Sequence, residues 1–243
     1  MKAIVLAAGR GERMRPLSDH TPKPLLEVRG KPLIEWHLEA LAGGGVREVV
    51  VNTAWLEEQI VEKLGDGSRF GLQISYSMEG RDHGGALETA GGIAKALPLL
   101  GDAFWVVSAD VFAPRFRFDA STAEAFAASG RLGRLWLVAN PLFHPRGDFG
   151  LGADGLGLAD ATGPDGQRWT YANIALLRAE MFAAITPGTK AALAPLLYAG
   201  MRERRIGVEV WRGRWDNIGT PEQLAALNAD APIAPPPAGA GEP

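Results

Sequence analysis

The chain has 243 residues, 47% of them hydrophobic, with a formal net charge of −3 and no cysteine. That apolar content suffices for one large buried core, and the near-neutral charge gives no electrostatic reason to expect a nucleic-acid partner. The absent thiols exclude disulfides, cysteine nucleophiles and thiolate zinc sites. No apolar run approaches bilayer length, and the N-terminal one is too short for a signal peptide. The expectation is a cytoplasmic protein without membrane contact; nothing in the sequence bears on its oligomeric state.

Ala3-Ile4-Val5-Leu6 is an unbroken apolar run, as a strand buried on both faces of a parallel sheet requires. Ala8-Gly9-Arg10-Gly11 follows, where small residues let successive backbone N–H groups approach an anion. Arg13, Arg15 and Lys23 come next, with Pro16, Pro22 and Pro24 stiffening the segment around Lys23. A cation-rich loop leaving the carboxyl end of a buried strand is where open α/β sheets bind ligands. The expected ligand is a phosphate.

Leu6-Ala-Ala-Gly-x-Gly-x-Arg-Met-x-Pro-Leu17, followed by Pro22-Lys23-Pro24-Leu25, resembles the signature of the sugar-1-phosphate nucleotidylyltransferases. It is not the dinucleotide fingerprint Gly-x-Gly-x-x-Gly, because position 14 is Met. The resemblance implies transfer of a nucleoside monophosphate from an NTP to a sugar 1-phosphate. It also implies that Ala7, Ala8, Gly9, Gly11, Glu12, Arg13 and Lys23 surround the triphosphate, Arg13 and Lys23 binding its phosphates.

Further along, Lys31-Pro32-Leu33 opens a helix with an apolar stripe at Leu33, Trp36, Leu38 and Leu41, ended by Gly43-Gly44-Gly45. Glu48–Asn52 reads as a second buried strand, Leu56–Leu64 as a second helix and Leu72–Tyr76 as a third strand. This βαβαβ order is a mononucleotide-binding half-sheet. The fold class expected is α/β, a Rossmann-like three-layer α/β/α mixed sheet of the nucleotide-diphospho-sugar transferase type.

Leu87-Glu88-Thr89-Ala90-Gly91-Gly92 stands where the family has Leu-Gly-Thr-Ala-Gly, a segment that meets the nucleobase largely through backbone groups. Glu88 for Gly resembles the subgroup acting on N-acetylmuramate 1-phosphate, and Glu88 and Thr89 are counted with the nucleotide site. Glu79 either accepts the ring N–H of a uracil or is a solvated loop residue; a carboxylate also suits a helix N-terminus at 88. Arg81-Asp82-His83-Gly84-Gly85 reads as extra loop length.

Phe104–Phe112 reads as a fourth apolar strand carrying Ser108 and Asp110 at its carboxyl end. A carboxylate beside a phosphate loop is well placed to hold Mg²⁺ on phosphate oxygens. The family resemblance implies that role for Asp110, and a place in the nucleotide site for Ser108.

The second half changes character. Leu132–Asn140 and Trp169–Leu177 read as strands, with turn signals at Asp154-Gly155 and Asp165-Gly166 between them. Asn140, Asp148, Gly150 and Asn173 are the candidates for contacts with sugar hydroxyls or an N-acetyl group. Asn140-Pro141 and Arg146-Gly-Asp-Phe149 again resemble the muramate subgroup, as does Leu193-Ala-Pro-Leu-Leu197.

Arg205–Trp211 reads as the last long strand, and Trp215-Asp216-Asn217-Ile218-Gly219-Thr220-Pro221 resembles the family's Trp-x-Asp-x-Gly-Thr-Pro. Counted from Trp215, the family's metal-binding Asp falls on Asn217, and Asp216 takes the variable position. Side chains alternate along a strand, so the expectation is that Asn217 faces the metal and Asp216 the opposite side.

The resemblance covers residues 1–228 as one domain, a nucleotide-binding half (about 1–112) and a sugar-binding half (about 113–228). Residues 229–243 form a Pro/Ala/Gly-rich tail too poor in apolar bulk to pack. The substrates implied are UTP and a sugar 1-phosphate, most closely N-acetylmuramate α-1-phosphate, with Mg²⁺ as cofactor. Glucose or mannose 1-phosphate with dTTP, UTP or GTP, and a nucleotide-sugar sensor without turnover, remain open alternatives.

Overall fold

The first strand shows why the sheet lies at the centre. In Lys2–Leu6 (β1), Ala3 and Val5 join one core and Ile4 the other, and all three are fully buried. A strand covered on both faces has to be apolar at every position. The computed structural model describes residues 1–229.

After β1 come the short helix α1 (Leu17–His20) and a two-stranded ribbon of β2 (Glu27–Val28) and β3 (Lys31–Pro32). Then α2 (Leu33–Gly43), β4 (Glu48–Thr53), α3 (Glu57–Leu64) and β5 (Gln73–Met78) complete the parallel half. Helices α4 (Glu79–His83) and α5 (Glu88–Ala96) lead into β6 (Ala103–Ser108) and β7 (Val111–Phe112). The second half contains α6 (Ala120–Ala128), β8 (Gly133–Val138), the pair β9 (Gly150–Leu151) and β10 (Gly157–Leu158), and β11 (Thr170–Arg178). It ends with α7 (Ala194–Arg202), β12 (Ile206–Val210), β13 (Asp216–Asn217) and α8 (Pro221–Ala229).

Seven strands form one sheet in the order β12-β8-β11-β6-β1-β4-β5. β11 runs antiparallel to both its neighbours and every other pairing is parallel, so the sheet is mixed. Ile34, Leu38 and Leu41 of α2, Ile60 of α3 and Phe126 of α6 pack on one face around Trp105 and Trp136. Ile93 of α5 and Leu197 and Met201 of α7 pack on the other, around Phe104 and Leu135. The three-layer α/β/α expectation describes this arrangement.

Strand ends shift by up to two residues, and four further differences from the sequence reading stand out. The fourth strand is broken at Ala109-Asp110, where the chain leaves the main sheet and β7 pairs instead with β13. Lys31–Pro32 belong to the ribbon and the helix begins at Leu33. Leu56, with φ 48, lies outside α3. The expected loop at 81–85 is helical through His83, because Glu57 accepts hydrogen bonds from the first free N–H groups, those of Gly80 (3.2 Å) and Arg81 (2.7 Å). Apart from Ala229, the expected tail lies outside the described residues. Within them, no helix is long and apolar enough to cross a membrane.

Candidate functional site

The loop after β1 is held from below and from the side. Asn52 Oδ1 on β4 accepts from the Ala7 N–H (2.8 Å), and Ser18 Oγ donates to the Gly11 carbonyl (2.7 Å). Gly11 has φ 67, and a Cβ there would lie 3.2 Å from the Lys23 Cβ, so the position favours glycine on both counts. Arg10 is committed to the loop itself. Its guanidinium lies 3.3 Å from the centre of the Trp55 ring and bonds the Ser18 carbonyl and Asp19. Arg15 also pairs with Asp19. Arg13 makes no hydrogen bond or ion pair with another described residue, and it borders a cavity of about 460 Å³ together with Ala7, Gly9, Gly11, Glu12 and Lys23. Ala8, expected at the same site, is buried in the loop and does not line this cavity.

At the floor of the cavity Lys23 Nζ lies 2.9 Å from Asp110 Oδ2, and Ser108 Oγ donates to Asp110 Oδ1 at 2.8 Å. The break after β6 brings this about. β13 pairs antiparallel with β7, Asn217 opposite Val111, and the Asp110 carbonyl accepts from the Ile218 N–H (2.9 Å). Burial pushes the Asp110 carboxyl up; the Lys23 charge and hydrogen bonds from Lys23, Ser108 and Asn217 outweigh it and hold the group below the usual carboxylate range. Asp216 turns the other way, to Arg214 Nε at 3.1 Å. Asp110 and Asn217 thus stand together, as the alternation argument expects, and Asp216 does not join them. No cluster of three or more His, Asp or Glu occurs among the described residues. The protein offers one ionised carboxylate and one amide, which fits a Mg²⁺ that takes its other ligands from phosphates and water.

Glu79 requires a correction. It is neither solvated nor available to a base, since it is completely buried and both its oxygens are engaged. Asn52 Nδ2 donates to Oε1 and the Leu87 N–H to Oε2, each at 2.7 Å. Burial raises its carboxyl pKa despite those bonds. α5 lies directly over the pair, and a Cβ on Gly92 would fall 2.4 Å from Glu79 Oε1. The residue's work is to tie the Leu87 loop to Asn52, and through it to Ala7. Glu88, at the start of α5, keeps a left-handed φ of 61, which costs a non-glycine residue roughly 1–2 kcal/mol. Its carboxylate has no partner among the described residues. Glu88 and Thr89 both line a second, larger cavity of about 710 Å³.

The two cavities join, sharing Leu6, Arg13, Ser108 and Asp110. The larger one runs into the second half of the chain, where Asp148 and Asn173 line it. Asn173 sits with φ 56 at a register shift in β11; such bulges re-aim side chains, and asparagine tolerates the left-handed conformation. Asp148 lines the wall, but its Oδ2 accepts from the Tyr171 N–H (2.8 Å) and its Oδ1 faces His144 Nε2 (3.0 Å).

The other two sugar candidates do not line the cavity. Asn140 donates to the Pro145 and Arg168 carbonyls and accepts from Thr170 Oγ1, so it closes a loop. Gly150 is a packing glycine, because a Cβ there would meet the Ala161 carbonyl at 2.4 Å. The sequence reading passed over Tyr171, Tyr198 and His144 as cavity residues, and assigned no cavity role to Leu193, Leu197 or Trp215 although it quoted the motifs containing them. Their signal, apolar or aromatic residues in a sugar-side segment, is the same as that of core residues.

The architecture has relatives. A Bacillus anthracis protein described as a glucose-1-phosphate thymidylyltransferase, solved with sucrose, superposes with a TM-score of 0.77 over 94% of each chain at 20% identity, which bears on the fold alone. The N-acetylmuramate alpha-1-phosphate uridylyltransferase of Neisseria meningitidis is 48% identical over 235 residues, 94% of this chain and 97% of its own. That of Caulobacter vibrioides is 33% identical over 96% of both. Residues 2–147 match the nucleotidyl transferase family model, a span that includes the phosphate loop, the Glu88 segment and Asp110. With the two cavities meeting at Asp110, the chain belongs to the sugar-1-phosphate nucleotidylyltransferase family, and it is an enzyme acting on a nucleoside triphosphate and a sugar 1-phosphate.

Proposed function

We propose that the enzyme transfers UMP from UTP to N-acetylmuramate α-1-phosphate, releasing pyrophosphate, in the recycling of cell-wall sugars in the cytoplasm. The observation that carries the reading is the junction of the two cavities at Arg13, Ser108 and Asp110. A triphosphate in the smaller cavity and a sugar phosphate in the larger one would meet there. The choice of uracil and of N-acetylmuramate is supported by the Neisseria meningitidis and Caulobacter vibrioides relatives, which match 94% and 96% of this chain.

The reaction needs no protein nucleophile. An oxygen of the sugar phosphate attacks the α-phosphorus in line, a new P–O bond forms, and the bond to pyrophosphate breaks. Catalysis is then positioning and charge neutralisation. Arg13, without a partner among the described residues, serves the phosphates at the junction. Lys23 leaves Asp110 to reach the charge that develops on the transferred phosphate. Asp110 and Asn217 would hold Mg²⁺, which when bound supplies Lewis-acid neutralisation of phosphate oxygens. The backbone of the 87–89 segment, fixed by Glu79, reads the base.

A pyrophosphate-release screen tests the reading, with UTP, ATP, GTP, CTP and dTTP against a panel of sugar 1-phosphates. Expected is Mg²⁺-dependent release that is fastest with UTP and N-acetylmuramate 1-phosphate. UTP binding without release from any sugar phosphate would favour a sensor. Lys23→Ala should lower kcat by about 10²- to 10³-fold, the typical loss for one donor to a transition-state charge. A raised KM with normal kcat would remove that role.

A further inference from the structure

We propose that His144 is the specificity-determining cation of the sugar cavity: held by Asp148, it pairs with an anionic substituent on the sugar ring. The inference rests on the reading above of the acceptor as N-acetylmuramate 1-phosphate, a sugar whose ring carries a lactyl carboxylate. N-acetylglucosamine 1-phosphate is the corresponding neutral acceptor.

Five charged or chargeable residues line the larger cavity, namely Arg13, Glu88, Asp110, His144 and Asp148. Three are carboxylates, so a second anionic group on the substrate enters a cavity that repels it unless a cation meets it. Arg13 also lines the phosphate cavity and is taken by phosphate charge. His144 is what remains.

Its surroundings suit the task. Asp148 Oδ2 is occupied by the Tyr171 N–H (2.8 Å), which leaves Oδ1 for His144 Nε2 at 3.0 Å. An imidazolium donates from both ring nitrogens, so with Nε2 on Asp148 the second N–H is directed away from that carboxylate. The His144 side chain is 39% exposed, so that outward nitrogen can meet a ligand. The loop carrying it is not loose. The His144 N–H bonds the Pro141 carbonyl at 2.9 Å, and Asn140 Nδ2 holds the Pro145 carbonyl at 3.2 Å. The Asp148 carbonyl in turn accepts from Arg168. Asn140, expected to touch the sugar, and Asp148, which lines the cavity, both position His144.

The test compares kcat/KM, at saturating UTP, for N-acetylmuramate 1-phosphate and N-acetylglucosamine 1-phosphate in the wild type, His144→Gln and His144→Lys. The ratio of the two values, acidic over neutral, should fall roughly 10- to 100-fold in His144→Gln, the worth of one charge-assisted hydrogen bond, and recover in His144→Lys. The change should lie in KM for the sugar. A ratio unchanged in His144→Gln, whether both acceptors are impaired equally or neither is, would overturn the assignment and leave His144 a loop residue. A wild type that turns over neither acceptor, or prefers the neutral one, would instead refute the acceptor reading, and the proposal with it.

Discussion

Asn217 and Asp216 differ by one position and face opposite ways. Asn217 adds a hydrogen bond to Asp110, whereas Asp216 pairs with Arg214 at 3.1 Å on a half-exposed side. An exposed pair of that kind contributes at most about 1 kcal/mol. Asp216→Ala should therefore cost little activity. At the proposed Mg²⁺ site, Asn217→Ala removes one of the two protein ligands and should weaken Mg²⁺-dependent turnover by about tenfold or more. Asn217→Asp should keep or raise turnover, because Mg²⁺ prefers a carboxylate oxygen. Titrating Mg²⁺ in each variant checks this; loss confined to Asp216→Ala would reverse the assignment. This geometry was legible in the sequence, since alternation along a strand needs only the spacing from Trp215 to Gly219. The role of Glu79 was not, because its partners lie 27 residues before it and 8 after it.

One buried carboxylate, that of Glu79, couples two loops. The loop after β1 and the segment entering α5 have no direct bond to each other, yet Ala7, Asn52, Glu79 and Leu87 form a continuous chain at 2.7–2.8 Å. Both outer partners of Glu79 are donors. Glu79→Gln would put an amide N–H against one of them and leave a buried donor unpaired, at a cost of about 1–3 kcal/mol. The Leu87 segment should then lose its seat, so KM for UTP should rise more than KM for the sugar, with a lowered Tm. Equal changes in the two KM values would mean that Glu79 serves stability alone. α5 is tied to the second half as well, since the Ala90 and Gly91 N–H groups donate to the Ala191 carbonyl (2.9 and 3.0 Å). Residues 192–194, which line the sugar cavity, follow directly. The start of α5 is therefore linked by hydrogen bonds to the walls of both cavities.

For the whole molecule, His37 links stability to pH. It is buried on α2, its Nε2 is 2.7 Å from the Val111 carbonyl behind Asp110, and burial pushes its pKa down to about 4, against the pull of that bond and of Asp110. A base with a depressed folded pKa is protonated first in the unfolded chain. Stability is thus complete above pH 6.5 and is lost as pH falls toward 4. Denaturant titrations should show about 2 kcal/mol less stability at pH 5 than at pH 7.5 from this group. His37→Gln should flatten that slope. An unchanged slope in the variant would assign the effect to other groups.

The layers and the class of chemistry follow from local pattern. Period-two and helical patterns are local, and the phosphate loop is one contiguous run from Leu6 to Leu25, so the parallel half-sheet, Arg13, Lys23 and Asp110 could all be read from neighbours along the chain. Which polar side chains face the cavities depends on contacts between segments far apart along the chain. Asn140, Gly150 and Glu79 have the residue types of a binding site, but their polar atoms or their missing Cβ are taken up by other segments of the fold. A buried polar group must find a partner wherever the fold brings one, and that choice is made in space, between residues that share no local pattern.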